Sequence, residues 1–142
     1  MTEKLTLSLK LINTKLGYIL ANLTSYSSLD LSKGINEIDQ HIYLINKSIK
    51  ENKNYVDIRN VINLRENLMK LENRINNDLE VLLQGHKIAC LLFEVATLIE
   101  LVILDFDNTK EDMIEYLSLA SKYLHTCGRI VNIEILCFEQ TL

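Results

Sequence analysis

Two carboxylates one residue apart, at the end of an apolar run, are the sharpest chemical candidate in this chain. Leu101-Val102-Ile103-Leu104 leads into Asp105, Asp107 and Thr109. Such a pair can supply a nucleophile or metal ligand together with a proton carrier. A second constellation is Glu37 with His41, four residues apart and therefore on one face of one helical turn. A di-metal carboxylate bundle needs two Glu-x-x-His motifs and two further Glu, and the chain has no Glu-x-x-His. His86 and His125 read as helix-end residues near a C-terminal dipole. Cys90, Cys127 and Cys137 lie in apolar stretches without CxxC spacing, which suits buried reduced thiols better than a disulfide framework or a zinc site. No Gly-rich phosphate loop and no recognisable Ser/Cys–His–acid signature is present. The residues therefore specify no cofactor and no metal.

The stretch from Leu101 to Thr109 resembles the first motif of haloacid-dehalogenase-like phosphatases. The resemblance implies a nucleophile at Asp105, an acid/base at Asp107 and Mg²⁺ between the carboxylates and a phosphate. It covers nine residues, Lys110 stands where that family has an apolar residue, and 33 residues remain after Thr109. The same letters fit an interhelical loop with Asn108 as N-cap and Glu111 three residues on. Gly128-Arg129-Ile130-Val131 resembles a fragment of the first homology motif of apoptosis-regulating helical bundles. There the motif precedes the central hydrophobic helix, whereas here it follows the most apolar segment.

Composition decides what must position these residues. The chain has 142 residues, 48% hydrophobic and 24% charged, with four Gly and no Pro. That suits one domain with a real core. So little turn chemistry argues against a sandwich or barrel and for long helices. Net charge is −4. Residues 1–87 carry twelve Lys/Arg against ten Asp/Glu, and residues 88–142 carry three against nine. Neither half offers the basic face that nucleic-acid binding needs. The most apolar run, Ile88–Leu104, is 17 residues long and contains Glu94 and Glu100; a spanning helix needs about 20 apolar residues without central charges. Met1-Thr2-Glu3-Lys4 opens without a secretory apolar region, so the expectation is an intracellular protein, cytoplasmic or nuclear.

Apolar spacing then gives the elements. Leu5, Leu9, Ile12, Leu16, Ile19 and Leu23 step by fours and threes, as do Ile35, Ile38, Ile42, Ile45 and Ile49. Val61, Leu64, Leu68, Leu71 and Ile75 repeat the arithmetic. The spacing predicts an all-α bundle of five or six helices, near 3–23, 32–51, 55–84, 87–104, 109–126 and 129–139. Residues 24–28 form a loop, Gly85 closes the third helix and Gly128 closes or bends the fifth. The apolar 87–104 helix is expected at the centre. Helices 2 and 3 are expected to form a long antiparallel, coiled-coil-like hairpin.

With no chemistry specified, the heptads carry the functional expectation: a non-enzymatic interaction module, a small adaptor or subunit of a larger complex. The expected partner-binding stripe is Ile58, Val61, Leu64, Leu68 and Leu71, taking a foreign helix or a second copy of the chain through helices 2 and 3. The phosphatase at Asp105 and Asp107 and the apoptosis-regulator-like bundle are the alternatives.

Overall fold

The computed structural model describes residues 2–23 and 30–136. The expected 24–28 loop, Cys137 and the end of the expected last helix lie outside them. The fold is an all-α bundle of α1 (Thr2–Leu23), α2 (Ser32–Glu51), α3 (Ile58–Glu72), α4 (Lys87–Ile103) and α5 (Glu111–Leu136). α1 pairs with α2 and α4, α4 with α5, and α3 with α5. The first two apolar rows turn inward as their spacing requires: Leu5 through Leu23 and Ile35 through Ile45 are buried in one shared core. Ile is a neutral helix former in isolation, so this packing, rather than propensity, holds α2 helical. Asn52 ends α2 in the left-handed region at φ 54°, which Asn tolerates better than most residues.

Several expectations are corrected. α3 stops at Glu72 rather than continuing to residue 84. The reason lies in the side chains that follow. The Asn76 carboxamide oxygen accepts from the Asp78 N–H at 3.0 Å, and the Asn76 carbonyl is taken by Arg129 of α5 at 2.8 Å. Further on, Asn132 of α5 donates to the Gln84 carbonyl at 2.8 Å and accepts from the His86 N–H at 2.9 Å. These bonds offer the backbone a better arrangement than another helical turn. Gly85, at φ 118°, is therefore no helix C-cap. It lies where Asn132 closes in, and a Cβ there would stand 2.3 Å from the Asn132 carboxamide.

The two helices expected at 109–126 and 129–139 are one, because Gly128 does not break α5. It provides the space for the ring of Phe93, 2.5 Å from where a Cβ would stand. Asp107, not Asn108, organises the turn before α5, its carboxylate accepting from the Thr109 N–H and its carbonyl from the Lys110 N–H, both at 3.0 Å. The central helix is α5 rather than α4. α5 is buried on faces toward α3, α4 and α2, while α4 leaves Leu101 and Leu104 at its end exposed. The expected α2–α3 hairpin is not the principal packing, because α2 lies against α1 and α3 against α5. No helix among the described residues is long and apolar enough to cross a membrane.

Candidate functional site

Two of the concave regions bordering α5 lie along its length, and a third, of about 420 Å³, lies at its N-terminal end against residues 52–54. The first lies where α2, α3 and α5 converge, a recess of about 320 Å³. Its α3 wall begins with the helix cap. Asp57 accepts from the Arg59 and Asn60 N–H groups, and the Asn60 carboxamide oxygen accepts in return from the Asp57 N–H at 3.0 Å. This reciprocal cap is worth about 1 kcal/mol. It also fixes which end of Asn60 faces the recess. With its oxygen engaged, Asn60 presents its N–H₂ to His41 Nε2 at 3.5 Å. His41 Nε2 is then the acceptor, so the ring proton sits on Nδ1 and is donated to the Tyr116 hydroxyl oxygen at 2.6 Å. A chain of contacts thus runs from the α3 backbone through Asn60 and His41 to the buried Tyr116 hydroxyl.

Burial keeps this chain neutral. It lowers the His41 pKa, against the opposing charge of Glu37. It also raises the Tyr116 and Tyr123 phenols well above their ordinary range, with Glu37 adding to both. Gly34 matters here: a Cβ would stand 2.0 Å from the Tyr123 hydroxyl, so that phenol rests against bare α2 backbone.

The second region is a cleft of about 650 Å³ between α4, α5 and the irregular 73–86 segment. Its cations are Lys122, which is exposed, and Arg129, buried and bonded to the Asn76 carbonyl. His125 lies beside them with its ring 5.1 Å from that of Phe93. Ser121 donates to the Ala96 carbonyl at 2.8 Å and reaches Glu100 at 3.4 Å. Glu72, Glu80 and Glu100 line the same cleft.

The expected site residues fall as follows. Val61, Leu64, Leu68 and Leu71 are buried in the chain's own core, and of the stripe only Ile58 is exposed. Asp105 and Asp107 lie in the α4–α5 turn; Asp105 is 3.9 Å from Lys4, and backbone and side-chain hydrogen bonds from Thr109 hold the Asp107 pKa low. His86 is at the opposite kind of helix end from the one expected, capping the N-terminus of α4 by accepting from the Ile88 N–H at 3.1 Å. Glu94 pairs with Lys15 of α1 at 3.1 Å, so the two acidic residues of α4 have separate partners. The Cys127 thiol is fully buried, which pushes its pKa up and keeps it protonated. Among the described residues no group of three or more His, Cys, Asp or Glu is placed to hold a metal ion.

Sequence reasoning missed the α3 carboxamides. Asn60, Asn63 and Asn67 stand at i, i+3 and i+7 on the recess side of α3. That spacing was the available signal, hidden among fourteen Asn in the chain.

No family model and no curated protein matches the sequence. The fold has a clear likeness among solved structures. It is similar to that of a PduO-type ATP:co(I)rrinoid adenosyltransferase from Lactobacillus reuteri, an arginine-to-lysine variant complexed with ATP. The TM-score is 0.86 at 14% identity, over 99% of this chain and 86% of that one. A likeness at this identity is one of fold. It overturns the expectation of a non-enzymatic adaptor or complex subunit, because a protein that shares this architecture over 99% of this chain is an enzyme. It supports neither alternative. Among the described residues the phosphatase motif has no sheet to stand on, its Asp107 being spent on a turn between helices. The apoptosis-regulator fragment at 128–131 lies within α5, packed on Phe93.

Proposed function

We propose that the chain is an ATP-using transferase of the adenosyl group, with a reduced corrinoid as acceptor. The observation that supports this is the fold likeness over nearly the whole chain to an enzyme whose reaction and bound nucleotide are of that kind. The cleft between α4, α5 and the 73–86 segment is the flank that suits a nucleotide's phosphates. Lys122 is its exposed cation, beside the buried Arg129 that is tied to the Asn76 carbonyl, and a polyphosphate would meet Lys122 against the carboxylates of Glu72, Glu80 and Glu100. Its volume falls within the range of small-molecule sites. Use of ATP agrees with an intracellular site of action.

The test is direct. The full chain is incubated with ATP and a corrinoid reduced to the cobalt(I) state, and the products are separated by chromatography. An adenosylated corrinoid is expected, with the three phosphates of ATP released together. Lys122→Ala should lower kcat/KM for ATP about tenfold or more while helicity is unchanged, the scale of one charge-assisted contact. Absence of both product and ATP binding at millimolar nucleotide overturns the reading.

A further inference from the structure

The stripe that spacing offered to a partner is buried, and the apolar surface left exposed lies elsewhere, with its largest share on the outer face of α1 and α4. Among the described residues, Leu7, Leu11 and Tyr18 of α1 are exposed there, with Leu101 and Leu104 at the end of α4, Leu104 at 80%. The two helices run antiparallel, because Lys4 lies against Asp105 at 3.9 Å and Lys15 against Glu94 at 3.1 Å. These ion pairs bracket an apolar groove about 17 Å long, the step from Lys4 to Lys15 at about 1.5 Å per residue. Ser8, Leu11, Leu98 and Leu101 line it, around a hollow of about 340 Å³. A second hollow, of about 550 Å³, continues along Glu3, Leu7 and Leu11. Charge divides the face lengthwise. α1 carries Lys4, Lys10 and Lys15 against Glu3, whereas residues 88–107 carry Glu94, Glu100, Asp105 and Asp107 and no Lys or Arg.

We propose that this face is covered by a second copy of the chain, related to the first by a two-fold axis parallel to α1 and α4. Charge decides both the occupant and the axis. With the axis along the helices, each α1 lies over the partner's α4 and antiparallel to it. Lys4 then meets the partner's Asp105, Lys15 meets the partner's Glu94, and symmetry repeats both pairs. The exposed Leu104 enters the hollow beside the partner's Leu7. With the axis across the helices, α1 would lie over α1 and Lys4 over Lys15, an arrangement that like charges oppose. A face that carries its own complement at matching heights fits a copy of itself better than a foreign helix. The pairs within each chain are no obstacle, since both are partly exposed and such pairs hold weakly. The result is a four-helix packing of alternating antiparallel neighbours. Two helices over a few turns make a small interface, so micromolar affinity is expected. The inference goes beyond the transferase reading and does not rest on it, because it is measured without nucleotide or corrinoid.

The experiment is sedimentation of the full chain from micromolar to near-millimolar concentration. A reversible monomer–dimer equilibrium is expected. Two charge-reversed variants are then compared, Lys4→Glu with Lys15→Glu, and Glu94→Lys with Asp105→Lys. Each alone sets like charges against like across the axis and should dimerise about tenfold or more weakly, with far-ultraviolet dichroism unchanged. Mixed in equal amounts, the two variants restore opposite charges at every contact, and the mass of two chains should return. A folding defect cannot produce that recovery. Leu7→Ser with Leu104→Ser should also weaken the dimer. A chain that stays monomeric at every concentration overturns the proposal and leaves the face to a partner of another kind. A ring of three or more chains, unchanged association in both charge-reversed variants, or a mixture that stays monomeric each overturns it as well.

Discussion

The two flanks of α5 use one helix for opposite purposes. Toward α2 and α3 it presents Tyr116 and Tyr123, seven residues apart, to a wall of four carboxamides with His41 and the single carboxylate Glu37. Toward α4 and the 73–86 segment it presents Ser121, Lys122, His125 and Arg129 to a wall containing three Glu. The first flank offers mostly a pattern of uncharged donors and acceptors, which salt barely touches. The second offers charges of both signs, whose reach salt screens over about 8 to 10 Å. A helix buried on most of its circumference can carry two chemistries because each face sees a different neighbour. The neighbours are held in turn by small residues, Gly34 on one side and Gly128 on the other.

Those glycines give the largest expected effect. At Gly128 a new side chain meets the ring of Phe93, which is 3% exposed and has nowhere to swing. Gly128→Leu should destabilise the chain by about 2–3 kcal/mol, the cost of overpacking a filled core, despite the better helix propensity of Leu. Urea denaturation should show the midpoint shift. At Gly34 the obstacle is the tip of the Tyr123 phenol, which borders open recess. Gly34→Ala should cost less than half as much, and Tyr123→Phe should partly relieve it. Equal costs at the two glycines would mean that the recess flank is as tightly packed as the cleft flank.

How far the sequence foretold this differs along the chain. α1 and α2 were legible because the apolar steps there are also buried positions, from Leu5 to Leu23 and from Ile35 to Ile45, with Ile49 partly buried at the end. The 73–86 segment was not, because heptad counting follows apolar residues, and Leu79 and Leu82 continue the count while both lie exposed. What ended α3 was Asn76 together with Arg129 and Asn132, partners about fifty residues away that no local pattern reveals. The site behaved likewise. The shared face of Glu37 and His41 could be read from spacing. The partners that turn His41 into a relay, Asn60 and Tyr116, come from two other helices. The adaptor expectation failed for a related reason: a stripe such as Val61–Leu71 looks the same whether it meets a foreign helix or the chain's own core.

A smaller effect separates the flanks by pH. Burial holds His41 below its ordinary pKa in the folded chain, while in the unfolded chain it titrates near 6.5. Between those two values the unfolded state binds more protons, so stability falls as pH drops through about 6.5 toward the folded pKa and levels off below it. His86 is lowered in the same direction, first by burial and then by Lys87. Urea midpoints from pH 7.5 to 5 should therefore decline. His41→Gln should remove part of that slope and leave the His86 share. If the slope is identical in the variant, His41 is solvated and the neutral relay to Tyr116 does not form.

The smallest effect concerns what holds α3 against α5. Arg65 of α3 is bonded to Glu115 of α5, one residue before Tyr116, and Arg74 is bonded to Glu134 farther along. Both pairs are partly exposed. Exposed pairs contribute about 0.2–1 kcal/mol, because water screens the charges and two long side chains must be ordered. The apolar row Val61, Leu64, Leu68 and Leu71 lies at the same interface and is buried, so packing rather than charge carries the attachment. A double-mutant cycle on Arg65→Ala and Glu115→Ala should give a coupling below about 1 kcal/mol that shrinks further in 1 M salt. A coupling of several kcal/mol would instead make the ion pair the clasp of the recess. The packing of the recess wall would then loosen with rising salt, and the distinction between an uncharged and a charged flank of α5 would collapse.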